Sequence, residues 1–416
     1  MEKIVINGGK TLRGQVDISS AKNAVLPILA ATILSTGKCT LNQIPMLDDV
    51  RVLCEVLRSL NVDINLNNNV LDVDTSNIKH IDVNNDLVRK MRASFLVMGA
   101  MLARFGKFKI SLPGGCNIGS RPIDLHLKGF VALGADISTK HGYVEVKAEK
   151  LIGNRIYLDF PSVGATENIL MAASLAEGET IIENAAEEPE IIDLVNFLRK
   201  MGAIIEGEGT DTIKVQGVKE LKSVEYTPIF DRIEAGTFMI AAAITKSKVT
   251  LNNVNEIYLK PVIAKLKEMG VLIDINENSI TVDGRNNLVP VDIKTLPYPG
   301  FPTDMQPQII SLLSVIKGTS LVKETIFENR FMHVRELIRM GANIKIDDRC
   351  AIIEGVDNLT GAEVKATDLR AGAALVLAGL CATGKTIVTD IYHIDRGYVK
   401  IEEKLKSLGA DIERVN

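Results

Sequence analysis

A six-residue phrase centred on glycine returns along this chain at intervals near 70 residues, and it limits the possible folds more tightly than anything else in the sequence. It reads Ala132-Leu133-Gly134-Ala135-Asp136-Ile137, then Lys200-Met201-Gly202-Ala203-Ile204-Ile205, then Glu268-Met269-Gly270-Val271-Leu272-Ile273. Two more copies are Arg339-Met340-Gly341-Ala342-Asn343-Ile344 and Ser407-Leu408-Gly409-Ala410-Asp411-Ile412. A sixth, Ser59-Leu60-Asn61-Val62-Asp63-Ile64, carries Asn in place of the glycine. The anchors fall at 61, 134, 202, 270, 341 and 409, in steps of 73, 68, 68, 71 and 68. A second set of stops ends apolar, helix-like runs at Gly37, Gly106, Gly178, Ser247, Gly318 and Gly384, in steps of 69, 72, 69, 71 and 66. A β-like segment follows each, such as Lys38-Cys39-Thr40-Leu41 or Lys248-Val249-Thr250-Leu251. Each unit therefore reads helix, stop, strand, second helix, stop, then two short strands about a turn. Asp283-Gly284 and Lys140-His141-Gly142 have the composition of such turns. The period exceeds the usual solenoid repeat, so each copy is a small βα module.

The sixth copy reaches Asn416 soon after its second helix, and its missing strands have counterparts at the other end of the chain. Ile4-Val5-Ile6, Leu12-Arg13-Gly14 and Val16 parallel Ile352-Ile353-Glu354, Leu359-Thr360-Gly361 and Val364. Dividing six modules three and three predicts one domain at 22–229 and a discontinuous one at 1–21 plus 230–416. Two chain crossings between them would suit a hinged cleft. With 416 residues, 46% hydrophobic, the chain is long enough for two cores. Lys plus Arg total 48 against 52 Asp plus Glu, so no basic excess points to nucleic acid or a membrane surface. The apolar stretch Ala24 to Leu34 is too short to span a bilayer, and Met1-Glu2-Lys3 leads into a strand pattern rather than a signal peptide. Five cysteines, at 39, 54, 116, 350 and 381, lack CxxC spacing, which argues against a disulfide framework or a zinc site. The expectation is a reduced, cytoplasmic protein with no metal.

The repeat gathers scattered charges. Counting back from each stop to the start of its helix gives Lys22, Arg92, Arg232, Asp304 and Arg370, with Thr166 at the matching place in the third module. Cations at helix N-termini are unfavourable by themselves, but the free N–H groups there suit an anionic ligand. Asp304, in Pro299-Gly300-Phe301-Pro302-Thr303-Asp304-Met305-Gln306, is either a helix N-cap or a general base for a hydroxyl. Arg330 and Arg396 lie 12 residues after Gly318 and Gly384, as equivalent arginines suited to clamping carboxylate or phosphate. Leu112-Pro113-Gly114-Gly115-Cys116-Asn117-Ile118-Gly119-Ser120-Arg121-Pro122 is a shaped loop, neither a P-loop nor a dinucleotide fingerprint. Cys116 lies in its middle, near enough to Arg121 to favour a thiolate. The other four cysteines sit in helix, strand or apolar patterns and read as structural.

Together, Ala21-Lys22-Asn23, Met91-Arg92-Ala93-Ser94, Pro113-Gly114-Gly115-Cys116, Phe301 to Gln306, Glu328-Asn329-Arg330-Phe331-Met332-His333 and His393-Ile394-Asp395-Arg396-Gly397-Tyr398 resemble, in order, the motifs of the UDP-N-acetylglucosamine 1-carboxyvinyltransferases. The resemblance covers essentially the whole chain. It implies the enolpyruvyl transferase fold: α/β, two domains, each an inside-out α/β barrel of three βαβαββ-type modules. It implies transfer of the enolpyruvyl group of phosphoenolpyruvate to the 3-hydroxyl of UDP-N-acetylglucosamine, with no cofactor. By the same resemblance Lys22, Arg121 and Arg396 hold phosphoenolpyruvate, and Arg330 and Arg370 add to the anion clamp. Cys116 is the general acid, able to carry a phosphoenolpyruvate adduct and open to fosfomycin-type epoxides. Asp304 faces the sugar hydroxyl as base or orienter. Asn23, Arg92, the run Arg121, Pro122, Ile123, Asp124 and Leu125, then Ser162, Val163, Gly164 and Ile326, line the sugar-nucleotide site. Two rivals are transfer to shikimate 3-phosphate, disfavoured by the Gly-Gly-Cys loop, and a non-catalytic sugar-nucleotide sensor or RNA-end-binding protein. The acidic balance disfavours RNA, and the full acid–base set disfavours any non-catalytic role.

Overall fold

The computed structural model describes residues 2–78, 95–111, 123–140 and 142–416. They fall into two compact units, one drawn from 2–19 and 230–416, the other from 20–111 and 123–229.

The repeated phrase is a helix stop, and the same two hydrogen bonds build every copy. At the degenerate copy, the Asn61 amide bonds to the Arg58 carbonyl and the Val62 amide to Leu57. Gly134 and Ala135 repeat this on Val131 and Phe130, and Gly409 and Ala410 on Lys406 and Leu405. This is the Schellman geometry, which puts its central residue in the left-handed region. The φ values there are 64° at Asn61 and 94°, 112°, 98°, 93° and 100° at the five glycines. Asn is the side chain that tolerates that region best, which explains the one departure. Among the other stops, Gly37, Gly106, Gly178, Gly318 and Gly384 also have positive φ, but at the Ser247 stop the left-handed residue is Lys246, at 49°. Ser247 is buried and accepts the Leu12 amide through its hydroxyl at 2.7 Å.

One predicted turn is corrected. Leu272–Asn276 and Ser279–Asp283 pair with Asn276 opposite Ser279, so Glu277-Asn278 makes the turn and Asp283-Gly284 follows the hairpin. Gly284 is there for close packing, since a Cβ would fall 2.5 Å from Ala243 Cα. The other predicted turn joins Lys140 to Tyr143 through Gly142, at φ 79°, and its His141 lies outside the described residues.

Gly341 has nothing within 4 Å of where a Cβ would stand, so Gly341→Ala isolates the backbone cost. We expect a loss of about 1–2 kcal/mol in urea unfolding. Asn61→Gly, which relieves the same strain, should lose nothing.

Each module contributes one small sheet, in which the strand after the first helix pairs antiparallel with the hairpin's second strand. In five of these sheets a further short strand runs parallel on the other side and comes from the preceding module of the same unit, while the sheet of Lys107–Ser111 has three strands among the described residues. In the unit containing 230–416, Ile293–Lys294 joins Thr319–Lys323, and Glu363–Lys365 joins Lys385–Thr389. Arg13–Asp17 closes the ring on Lys248–Asn252, with Gly14 opposite Val249. Lys3–Asn7 fills the centre of the sixth sheet, with Ile4 opposite Val388 on one side and Arg414 on the other. In the unit at 20–229, Glu225–Tyr226 returns to Lys38–Leu41 of its first module, and Arg155–Tyr157 joins Glu179–Glu183. In the unit containing 230–416 the three modules close head to tail and leave the first helices in the middle and the sheets outside. Arg232–Ile244, Gln306–Leu313 and Leu369–Cys381 touch one another, and from Ile233 to Ile244 every residue is buried. Helices apolar on all sides belong in such a centre, whereas the second helices, such as Asp48–Ser59, bury one face.

One buried acid holds the end of the 20–229 unit. Asp193, on the helix Pro189–Met201, accepts from the Tyr226 hydroxyl at 2.7 Å and the Ile229 amide at 3.1 Å. Burial pushes its carboxyl up to about 6, so folding disfavours its charged form. The penalty is absent below the unfolded value of about 3.9, grows as pH rises, and is complete above the folded value. Asp193→Asn should therefore stabilise the protein by roughly 1–3 kcal/mol at pH 7.5 and give no gain at pH 4, read from urea midpoints.

Candidate functional site

Asp304 stands in the single 3-10 turn Thr303–Met305, entered from Pro302 and followed by the helix Gln306–Leu313. That helix has Met305 at its N-cap and no side-chain cap bond, so Asp304 is not the capping residue its position in the sequence allows. Its carboxylate engages two arginines instead. Oδ1 accepts from Arg330 Nη2 at 2.9 Å and Oδ2 from Arg370 Nε at 3.1 Å, with Arg370 Nη2 3.0 Å from Oδ2 in the same ion pair. The arginine side chains are 2% and 3% exposed, against 28% for Asp304. Arg370 is the second residue of Leu369–Cys381, whose N-cap Asp368 accepts its amide and that of Ala371. The Arg370 guanidinium lies 5.3 Å from the Tyr398 ring centre, and that of Arg330 5.5 Å from Phe327. Burial opposes the Arg370 charge, but Asp304, Tyr398 and Asp231 outweigh it and raise its pKa.

Two guanidiniums share the Asp304 carboxylate. Arg330 Nε and Arg370 Nη1 are buried with no hydrogen-bond partner among the described residues, and donors of that kind are satisfied by anionic oxygens. Beside Arg370, Gln308 Nε2 donates to Thr237 Oγ1 and Tyr398 OH, both at 3.2 Å, tying the central helices Arg232–Ile244 and Gln306–Leu313 to the segment that carries Tyr398. His333 is fully buried, and desolvation pulls its imidazole well below its usual value, so it is a neutral packing group. Half-buried Arg396 follows the short helix Tyr392–Asp395. Its neighbour Asp395 is taken by Arg414, at 2.5 and 3.1 Å, which also holds Glu402 at 2.8 Å and Glu2 at 3.0 Å. Ile326 is half-buried, and its amide donates to Glu324.

In the other unit Lys22 opens the helix Lys22–Ala31, and its Nζ donates to Asp49 Oδ2 at 3.2 Å. Asp49 lies in the first turn of Asp48–Ser59, where a helix dipole favours an acid, so the lysine is held by a carboxylate well placed itself. Asn23 is exposed. A second group forms where Asp124–Ala132 and Val163–Ala173 begin. Ser162 caps the latter by accepting the Ala165 amide at 3.4 Å, and Val163 and Gly164 are half-buried. Ile123 is buried, Asp124 exposed and Leu125 half-buried. Asn168 joins the two helix starts through His126 Nδ1 at 3.0 Å, and it accepts the Gly99 amide at 2.7 Å.

Of the other module-start residues, Arg232 lies 5.7 Å from the Tyr298 ring centre, and buried Thr166 accepts the Ala186 amide. Arg92, Cys116, Arg121 and Pro122 lie outside the described residues. Cys39 and Cys54 are buried, and burial pushes the Cys54 thiol up to about 11 and that of Cys381 to about 12. Among the described residues no group of His, Cys, Asp or Glu could hold a metal ion, and no helix is long and apolar enough to cross a membrane. Sequence reasoning missed Asp49, Asn168 and Glu324. Only Asp49 carried a signal, as an acid at the second-helix start of the module that begins with Lys22.

The family model described as EPSP synthase (3-phosphoshikimate 1-carboxyvinyltransferase) matches residues 6–405. The solved enolpyruvyl transferase NikO from Streptomyces tendae is similar with a TM-score of 0.90 and 26% identity, over 100% of this chain and 99% of that one. EPSP synthase from Acinetobacter baumannii shares the fold, with a TM-score of 0.79 over 100% of both chains at 19% identity. Ring-closed three-module units of this kind are those of an enolpyruvyl transferase. Among curated proteins, UDP-N-acetylglucosamine 1-carboxyvinyltransferase 2 of Clostridium tetani is 66% identical over 417 residues, 100% of both chains. UDP-N-acetylglucosamine 1-carboxyvinyltransferase 1 of Clostridium acetobutylicum is 65% identical over 417 residues, again 100% of both. The chain belongs to the enolpyruvyl transferase family, in the branch of the UDP-N-acetylglucosamine 1-carboxyvinyltransferases.

Proposed function

We infer that this enzyme moves the enolpyruvyl group of phosphoenolpyruvate to the 3-hydroxyl of UDP-N-acetylglucosamine and releases phosphate, the first committed step of peptidoglycan precursor synthesis. The geometry that supports it is Asp304, a partly exposed carboxylate fixed by two buried arginines. In the addition step the hydroxyl loses its proton as its oxygen attacks C2 of phosphoenolpyruvate, and C3 gains a proton. In the elimination step C3 gives a proton up, the C2–O bond to phosphate breaks, and the vinyl ether remains. Asp304 takes the hydroxyl proton or aligns the hydroxyl, and Cys116 delivers the proton to C3. The substrate carries a carboxylate and a phosphate, which call for fixed cations: Lys22, Arg121 and Arg396, with Arg330 and Arg370 in support. Asn23, Arg92, the run from Arg121 to Leu125, Ser162 to Gly164 and Ile326 receive the sugar nucleotide. A cytoplasmic setting belongs to the same reading.

Phosphate release from phosphoenolpyruvate should require UDP-N-acetylglucosamine and should not occur with shikimate 3-phosphate; the reverse preference would sink the proposal. Cys116 should be the thiol alkylated most readily below neutral pH, since burial weakens Cys54 and Cys381 as nucleophiles. A fosfomycin-type epoxide should label it, and phosphoenolpyruvate should protect it. Peptide mass spectrometry showing equal labelling of all five cysteines would remove Cys116 from the mechanism.

A further inference from the structure

Directly after the strand Thr319–Lys323 comes Glu324, an acid with 0% of its surface exposed. Its Oε1 accepts from Thr295 Oγ1 at 2.9 Å, the Ile326 amide at 2.8 Å and the Phe327 amide at 3.2 Å. Its Oε2 accepts from Thr303 Oγ1 at 2.9 Å. No cation is among these partners, and the carboxyl is held by four neutral donors alone. An apolar side chain in its place would leave all four donors unsatisfied. What a carboxylate adds is acceptor capacity in two directions, and here the two directions reach different segments. Thr303 adjoins Asp304, while Ile326 and Phe327 open the loop that ends at Arg330, the partner of Asp304. Thr295 reinforces the same junction, since its hydroxyl accepts the Thr325 amide at 2.9 Å and its carbonyl the Thr325 hydroxyl at 2.5 Å.

We propose that Glu324 is a positioning residue that fixes the turn carrying Asp304 against the loop carrying Ile326, and so aims the groups that meet the acceptor hydroxyl. The inference rests on the reading of Asp304 and Ile326 given above. Glu324 touches no substrate. It acts by holding two backbone segments in register, and a misplacement of about 1 Å at a reacting group costs on the order of 10² in rate.

The test begins with Thr303→Val, which keeps the shape of the side chain and removes the donor to Oε2. Its kcat should fall about 10-fold with KM for phosphoenolpyruvate nearly unchanged, and Thr303→Ser should restore turnover. Glu324→Gln can accept through its carbonyl and donate to the Thr303 oxygen, so it should keep most of its activity. Glu324→Ala should lose roughly 10² in kcat per folded molecule. Normal kcat in Thr303→Val and Glu324→Ala, or a loss that Thr303→Ser fails to restore, would overturn the proposal. Asp304→Asn, measured alongside, separates the two layers. If it is impaired while the Thr303 and Glu324 variants are normal, only the positioning role fails. If it turns over normally, the reading of Asp304 fails and the role of Glu324 falls with it.

Discussion

Asp304→Asn will lose turnover by about 10² or more and will also unfold at a lower urea concentration than the parent. The first effect follows from chemistry: an amide cannot take the hydroxyl proton, and it orients a hydroxyl differently. The second follows from the two arginines, each at most 3% exposed, which would then face a neutral group. Removing one partner of a buried ion pair costs about 3–5 kcal/mol, and the partial exposure of Asp304 places the expected loss at or below the low end. Both are measured on one sample, kcat per folded molecule at a temperature where the variant is native, and the urea midpoint by circular dichroism. Wild-type turnover with a lowered midpoint would make Asp304 a purely structural anchor.

Arg370→Lys will be nearly as damaging although it keeps the charge. Arg370 reaches Asp304 Oδ2 through both Nε and Nη2 and lies against the Tyr398 ring, and an ammonium reproduces neither the fork nor the stack. We expect about a 10²-fold loss in kcat/KM and roughly 2–3 kcal/mol of stability, with effects far from additive when combined with Asp304→Asn. Additive losses would show that the two side chains act separately.

What the sequence made legible follows from backbone necessity. A left-handed helix stop admits few residues, so Gly134, Gly202, Gly270, Gly341 and Gly409 stand out at fixed intervals, and Asn61 remains recognisable as their equivalent. Where the left-handed residue shifted to Lys246, the pattern offered only Ser247, and the stop was placed one residue late. Gly284 misled for a different reason: its glycine answers a close approach to Ala243, a tertiary fact with no local signature. The site divides similarly. Asp304 was singled out by its rigid turn, but the local pattern also allowed a helix cap, and only its partners 26 and 66 residues away decide between the two. Glu324 was invisible because its four donors come from Thr295, Thr303, Ile326 and Phe327, and only two of those are near it in sequence.

The strand Lys3–Asn7 lies between Lys385–Thr389 and Asp411–Val415, and this sets an order of assembly during synthesis. At about 5–20 residues per second, that strand leaves the ribosome on the order of tens of seconds before either neighbour exists. The unit at 20–229 draws the sheets described for it from its own segment, so it can complete itself in that interval. Ile4, Val5 and Ile6 must meanwhile wait in water, an apolar triplet with every backbone donor and acceptor open to a wrong partner. The charged pair Glu2-Lys3 directly before it works against such pairing. For this chain a strand made early is among the last to be placed, so its exposure before Lys385–Thr389 and Asp411–Val415 exist is a matter of kinetics rather than of the finished sheet's stability.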